Sequence, residues 1–289
     1  MPIVLDNVTY TYGGGTPYEK TALRNVSLTI GEGEFVGIIG HTGSGKSTLV
    51  QHLNGLLHPT EGTVRIDGID ATDRTEDAKS ARHRVGMVFQ YPEHQLFEET
   101  IAKDIAFGPK NLGANESEVG ARVRKAMKFV GLDYETYADR SPFHLSGGQM
   151  RRVAIAGVIA LDPSYLVLDE PSAGLDPFGR EEIFAEVMAL HREGNVTAVL
   201  VSHNMEDIAR MANRLIVLYE GEILLDGKPT DIFVNEREAL KRAGVDVPPI
   251  SVLLEHLHAR GLDVDRRVTS VADGAEAIYR ALKEVRDVG

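Results

Sequence analysis

Two hydrophobic textures alternate along this chain. Phe35 to Ile39, Val85 to Phe89, Leu166 to Leu168 and Val196 to Val201 are short apolar runs, bounded by glycine, proline or acidic positions. Such runs predict strands buried on both faces, as in a parallel sheet covered by helices. Ile3 to Tyr12 and Asn25 to Ile30 instead alternate apolar with polar residues, which predicts half-exposed antiparallel strands. Arg214 to Tyr219 and Glu222 to Asp226 repeat that style around Glu220-Gly221, a tight hairpin. Between the second and third apolar runs the period turns helical, over Glu116 to Val130 and Met150 to Ala160, which predicts a helical lobe inserted over about residues 92–160. The class is α/β, with an antiparallel β subdomain and a helical lobe beside a parallel core.

Near Gly244 the texture changes again. Pro248-Pro249 precedes Ile250, Leu253, Leu254 and Leu257, which share one helix face by their spacing. Ser270 can cap a further helix whose apolar face includes Ala275, Ile278, Leu282 and Val285. The expected division is a main domain over residues 1–243 and a small C-terminal helical extension over 244–289. That helical pair either covers the core of the main domain or contacts another subunit.

Composition narrows the function classes. The 289 residues are 43% hydrophobic and 26% charged, which is ordinary for a folded globular chain. Lys and Arg number 31 against 43 Asp and Glu, a net charge of −12, so no nucleic-acid partner is expected. The absence of cysteine excludes disulfides and thiolate metal sites. Met1 to Asp6 does not read as a secretion signal, and no apolar run approaches the roughly 20 residues that span a bilayer. Any membrane role is expected to be peripheral.

The chemistry concentrates at a few places. Gly40-His41-Thr42-Gly43-Ser44-Gly45-Lys46-Ser47 fits the phosphate-binding pattern G-x-x-x-x-G-K-[ST], with an apolar strand before it and Leu49, Leu53, Leu56 and Leu57 on a helix face after it. Glycines let backbone N–H groups wrap phosphate oxygens, Lys46 reaches the β- and γ-phosphates, and Ser47 suits Mg²⁺. Thr48 adds either a phosphate contact or a helix cap. Asp169 and Glu170 end an apolar strand at the edge where α/β sheets place ligands. Asp169 suits the Mg²⁺ shell and Glu170 the activation of water. Taken alone this acidic pair would be a solvated turn; the phosphate loop upstream changes that reading. Ser146 can cap a helix beginning near Met150, while Gly147 and Gly148 expose backbone N–H groups, together an anion-binding surface.

Leu145-Ser146-Gly147-Gly148-Gln149 lies between the phosphate loop and Tyr165-Leu166-Val167-Leu168-Asp169-Glu170, and that order resembles the ATP-binding cassette (ABC) ATPases over about residues 1–243. The resemblance implies a P-loop ABC nucleotide-binding domain that hydrolyses ATP with Mg²⁺. It implies that Leu145 to Gln149 close over the γ-phosphate of an ATP held by a partner. His203, after the Val196 to Val201 strand, resembles the switch histidine. Gln90 resembles the Q-loop glutamine that senses Mg²⁺ and the attacking water, and Ser172-Ala173-Gly174-Leu175-Asp176 resembles the D-loop. Asp176 with Pro177 can equally start the helix through Ile183, Val187 and Leu190. An aromatic ring near the first strands is implied for adenine. Tyr10 and Tyr12 both qualify, and Tyr12 is chosen because it ends its strand at Gly13-Gly14-Gly15.

Two further stretches, Phe89-Gln90-Tyr91-Pro92-Glu93-His94-Gln95-Leu96-Phe97 and Leu145 through Met150-Arg151-Arg152 to Gly157, resemble the ATPases of energy-coupling factor (ECF) transporters. The Gly40-His41-Thr42-Gly43 loop and Met150-Arg151-Arg152 are similar to the second of their two A-type subunits. This resemblance implies a pair with a homologous A-type ATPase, as a heterodimer or a homodimer, on an integral membrane T-component, with S-components served indirectly. The cargo class would be vitamins or transition-metal ions, and the location the cytoplasmic face of the cell membrane. Glu93 is the acid expected to meet an arginine of the T-component, although as a residue it is also an ordinary turn acid after Pro92. The C-terminal helices are similar to an extension that holds two ATPases together. The rival readings are a conventional ABC importer and a soluble ABC ATPase outside transport.

Overall fold

The computed structural model describes residues 2–194 and 196–288. In chain order the first elements are β1 (Ile3–Tyr12), β2 (Lys20–Ile30), β3 (Phe35–Ile39), α1 (Lys46–Leu53), β4 (Glu61–Ile66), β5 (Ile69–Asp70), α2 (Glu76–His83) and β6 (Val85–Val88). The lobe follows as α3 (Ile101–Asn111), α4 (Glu116–Phe129), α5 (Tyr134–Tyr137) and α6 (Gly147–Ile159). The core resumes with β7 (Tyr165–Asp169), α7 (Pro177–Gly194), β8 (Thr197–Val201), α8 (Met205–Met211), β9 (Arg214–Tyr219) and β10 (Glu222–Gly227). Short helices α9 (Pro229–Asn235) and α10 (Arg237–Arg242) lead to α11 (Pro249–Ala259) and α12 (Val271–Val288).

The four apolar runs become β3, β6, β7 and β8. They lie in a six-stranded sheet of order β10-β9-β3-β8-β7-β6, parallel except for the β9–β10 hairpin. Alternate residues serve two cores. Phe35, Ile39, Leu166, Leu168 and Leu200 face the helical lobe, α7 and α8. Val36, Ile38, Val167, Val199 and Val201 face α1 and the antiparallel sheet β2-β1-β4-β5. Both faces are dry, which is why these strands read as unbroken apolar runs.

Several elements differ from expectation. α1 ends at Leu53, so Leu56 and Leu57 lie beyond the helix, and Leu56 is exposed. β9 is not half-exposed: Leu215, Ile216, Val217 and Leu218 are wholly buried, because Leu215 and Val217 pack into one core and Ile216 and Leu218 into the other, so both faces of the strand are covered. α6 begins at Gly147 rather than near Met150, since Ser146 and Gln149 form a reciprocal capping box that starts the helix early. In the C-terminal pair, Leu253, Ala275 and Leu282 point to solvent, while Ile250, Leu254, Val264 and Ala281 form a small separate core. α11 and α12 meet at Gly274, where an added Cβ would lie 2.3 Å from Ile250. That close approach, which a larger residue would block, selects the buried stripe. The pair therefore packs on itself rather than roofing the main core; the side chain of Val285 lies outside the described residues.

The parallel strands all end on one edge of the sheet. Of the connections that leave that edge, those from β3, β6, β7 and β8 carry the residues of interest. Among the described residues no helix is long and apolar enough to cross a membrane.

Candidate functional site

The loop after β3 has no room for side chains at two of its glycines. Gly40 has φ 154°, and a Cβ there would sit 2.4 Å from the Leu218 carbonyl oxygen. Gly45 has φ 107°, and its Cβ would meet the Ala22 oxygen at 2.6 Å. Backbone replaces side chain so that the loop can curl against β9 and β2. Gly45 is the N-cap of α1 and no side chain caps that helix, so the positive end of α1 is left for an anion. Lys46, nearly buried, folds over the loop and donates from Nζ to the carbonyls of Gly40 at 2.7 Å and His41 at 3.0 Å.

A cavity of about 370 Å³ opens beside the loop. Thr42, Gly43, Gly45, Lys46, Ser47 and Thr48 line it from the loop and α1, and Gln90, Asp169, Glu170 and His203 from the other strand ends. Gly40, His41 and Ser44 do not line it. Ser44 is buried beneath the loop, and His41 turns its ring edge-on to Tyr219 at 5.6 Å. Tyr12 closes one wall, its hydroxyl 3.2 Å from Thr48 Oγ1. Tyr10 stands behind it, edge-to-face with Tyr12 at 4.8 Å and with buried His52 at 4.9 Å. Of the two tyrosines only Tyr12 faces the cavity.

Lys20 and Ala22 also line the wall, and the sequence reading missed both. The signal was the pairing register, since Lys20 lies opposite Tyr12 between β1 and β2. Only correct strand pairing reveals it.

The acidic pair is set by the end of β7. Asp169 is almost buried and accepts a hydrogen bond from Ser47. Burial pushes its carboxyl up, while Ser47 and Lys46 oppose the rise. Glu170 adopts a left-handed φ of 52°, turning its side chain off the strand line. Burial and then the charge of Asp169 push its carboxyl up to about 7. Its Oε1 is buried without a hydrogen-bond partner. His203 Nε2 lies 3.3 Å from that oxygen, a close approach off the hydrogen-bonding line. Burial, then the charge of Lys46, lowers the His203 pKa, with Asp169 opposing. Burial likewise lowers Lys46, with Glu170 and Asp169 pulling the other way.

The segment Leu145 to Gln149 does not line this cavity. Leu145 packs toward the lobe core. Ser146 Oγ accepts from the Gln149 amide at 3.3 Å, and Gln149 Oε1 accepts from the Ser146 amide at 3.1 Å. Beside them, added Cβ atoms at Gly147 and Gly148 would meet nothing within 4 Å. The chain thus carries a capped helix start that lies outside the cavity of its own phosphate loop.

Ser172 to Asp176 forms the turn after Glu170, with Gly174 at φ 77° and Asp176 Oδ1 accepting from Gly179 at 2.7 Å to begin α7. Glu93 is occupied within the chain. Arg151 donates to it from Nε at 3.0 Å and from Nη2 at 2.9 Å, so the acid expected to await another protein's arginine is held by this chain's own.

The site has close counterparts. A family model described as ABC transporter matches residues 23–173. The energy-coupling factor transporter ATP-binding protein EcfA2 of Clostridium perfringens is 52% identical over 98% of this chain and 99% of its own length. The protein of the same name from Bacillus subtilis is 50% identical over 92% and 97%. Among solved structures, cbiO1 from Clostridium perfringens, part of the ABC transporter complex cbiONQ, superposes with a TM-score of 0.72 at 34% identity, covering 88% of this chain and 98% of that one. The dimeric post-hydrolysis ATP-binding cassette MJ0796, bound to ADP and Pi, gives 0.69 at 35% identity over 78% and 98%. With the phosphate loop, Gln90, Asp169, Glu170 and His203 meeting at one cavity, and with half-identity sustained over almost its whole length, the chain belongs to the ABC transporter family, among the energy-coupling factor transporter ATP-binding proteins.

Proposed function

We propose that this chain binds Mg·ATP in the cavity between the phosphate loop and the ends of β6, β7 and β8, and hydrolyses it as one of a pair to power an ECF importer. The observation that carries the chemistry is Glu170, whose buried, unpartnered Oε1 shares the cavity with Lys46. A carboxylate with its pKa near 7 is matched to accepting a proton near neutrality.

Tyr12 stacks on adenine. The uncapped amides of α1 and the Lys46 ammonium hold the β- and γ-phosphates. Ser47 hydroxyl, Asp169 carboxylate and Gln90 amide oxygen form an all-oxygen donor set, the kind that hard divalent cations take, with Asp169 acting through water. Mg²⁺ at that set would offset phosphate charge. Glu170 polarises the attacking water, and His203 and Gln90 align it, as oxygen adds to the γ-phosphorus and the bond to the bridging oxygen breaks.

Pairing is supported by the uncovered start of α6. Ser146, Gly147 and Gly148 present an anion-binding surface that this chain's own cavity does not use. A homologous ATPase supplies the γ-phosphate that fits it, and the turn from Ser172 to Asp176 carries the state of one site to the other. The pair sits peripherally on the cytoplasmic face of the membrane, docked on an integral T-component, and takes up vitamins or transition-metal ions captured by S-components. α11 and α12 add to the contact between the ATPases.

Mild-detergent purification of the tagged chain from its native membranes tests the assembly. Recovery of a second ATPase with an integral membrane protein is expected. Recovery with ribosomes or DNA, or as a homodimer beside a transporter fed by an external binding protein, overturns it.

A further inference from the structure

The guanidinium of Arg151 joins three segments that sequence keeps apart. It stands on α6, five residues beyond Ser146, and its side chain is 2% exposed. Nε and Nη2 grip the two oxygens of Glu93 at 3.0 and 2.9 Å. Nη1 donates to the carbonyls of Pro171 at 3.2 Å and Ala173 at 2.7 Å. Those carbonyls belong to the turn that leaves Glu170, closed by the Ala173 amide on the Glu170 oxygen at 3.1 Å. Glu93 lies three residues beyond Gln90, after Tyr91, whose φ of 55° turns the chain out of the sheet.

Each contact has a physical reason. A buried guanidinium needs an acid, and Glu93 supplies it in the bidentate form that a planar fork matches. Burial, the largest influence, pushes the Glu93 carboxyl up, but the Arg151 hydrogen bonds, a backbone hydrogen bond and the charges of Arg151 and His94 together hold the acid below its ordinary range. The remaining donors reach backbone, not side chains, so they fix the path of the turn. A non-glycine residue at left-handed φ persists only where its surroundings hold it, and Glu170 is followed at once by the two carbonyls that Arg151 ties down.

We propose that Arg151 is a positioning residue for hydrolysis, tying the helix that Ser146 starts to the turn that aims Glu170, so that engagement of the partner and alignment of the catalytic acid are set together. This rests on the paired reading above. Lysine cannot replace it, since one ammonium cannot grip Glu93 with two parallel bonds and hold two carbonyls as well.

The test is steady-state ATP hydrolysis by the assembled transporter carrying Arg151→Lys, with binding of a fluorescent ATP analogue and thermal unfolding measured on the same preparations. We expect kcat to fall about tenfold or more, as misplacement of a catalytic group does, with KM for ATP and the unfolding temperature close to wild type. Glu93→Gln, which keeps one acceptor for the fork and leaves the carbonyl bonds in place, should lose less of kcat and show the same split. Wild-type kcat in both variants overturns the inference, as does a loss that only tracks a fall in unfolding temperature. Ser146→Arg in the same complex separates the two readings. If it leaves hydrolysis intact, the pairing has failed; if it stops hydrolysis while Arg151→Lys remains fully active, the pairing stands and the role of Arg151 falls.

Discussion

The chain has two helix starts built for anions, and they are packed in opposite ways. α1 begins at Gly45 under a loop pressed against the Ala22 and Leu218 carbonyls, with Lys46 and Asp169 nearly buried beside it. α6 begins at Ser146 with its cap satisfied internally and open space over Gly147 and Gly148. On the proposed function, the first is crowded because phosphate, cation and water are to be held against fixed groups, and the second is open because its complement is to come from a partner. Damage at the first should therefore cost what a single chain can do, and damage at the second only what a pair can do.

The sharpest break in that contrast comes from Glu170→Gln. The variant should retain ATP binding while turnover falls roughly 10²-fold or more, the scale of a lost general base. Near-normal steady-state hydrolysis would remove Glu170 from the mechanism and leave the crowded side without its acid. Next is Ser146→Arg, which should reduce hydrolysis by the assembled complex at least about tenfold, because a bulky cation blocks donors aimed at transition-state charge. The isolated chain should bind a fluorescent ATP analogue as before. Weakened binding by that isolated chain would mean that the two helix starts are not independent.

The smallest effect lies away from both helix starts, where α7 meets α6 near the Arg152–Glu182 ion pair. Glu186 has Oε2 buried without a partner, and burial, then Glu182, push its carboxyl up to about 7, with Arg152 opposing. A folded-state pKa above the ordinary glutamate value of 4.5 means that the folded chain binds more protons across that window. Stability from this group is thus greatest in acid and falls as pH rises toward 7. Glu186→Gln should remove the penalty, raising stability at pH 8 by about 1 kcal/mol once partial exposure is allowed for, with little gain near pH 4. Urea unfolding of both proteins at the two pH values measures it, and equal differences at both would show that Glu186 is not protonated in the fold.

What could be read in advance divides along the same line. The crowded site was legible because its residues are consecutive: a loop between strand and helix, and an acidic pair ending an apolar run. Tyr12 over Tyr10 was also readable, from its place beside the glycines. Lys20 was not, because it enters by strand register. The Arg151–Glu93 pair spans 58 residues, and nothing local marks either residue as the partner of the other. Leu253 and Leu282 illustrate a different limit. Helical spacing offers neighbouring stripes that are equally apolar, and the choice was made by the close approach of Gly274 to Ile250, a tertiary fact. β9 carried four consecutive buried apolar residues, but the hairpin beyond it made it resemble the half-exposed strands.

The strand order also governs when the catalytic edge can exist. β8 lies between β3 and β7 in space, although it follows both in the chain. During synthesis the phosphate loop emerges early and Asp169 much later, yet the strands that carry them have no shared neighbour until Val201 has left the ribosome. Closure across so long a stretch of chain is entropically expensive and comes late. A nascent chain therefore displays its most recognisable motif long before the strand that joins the two halves of the catalytic edge has been made.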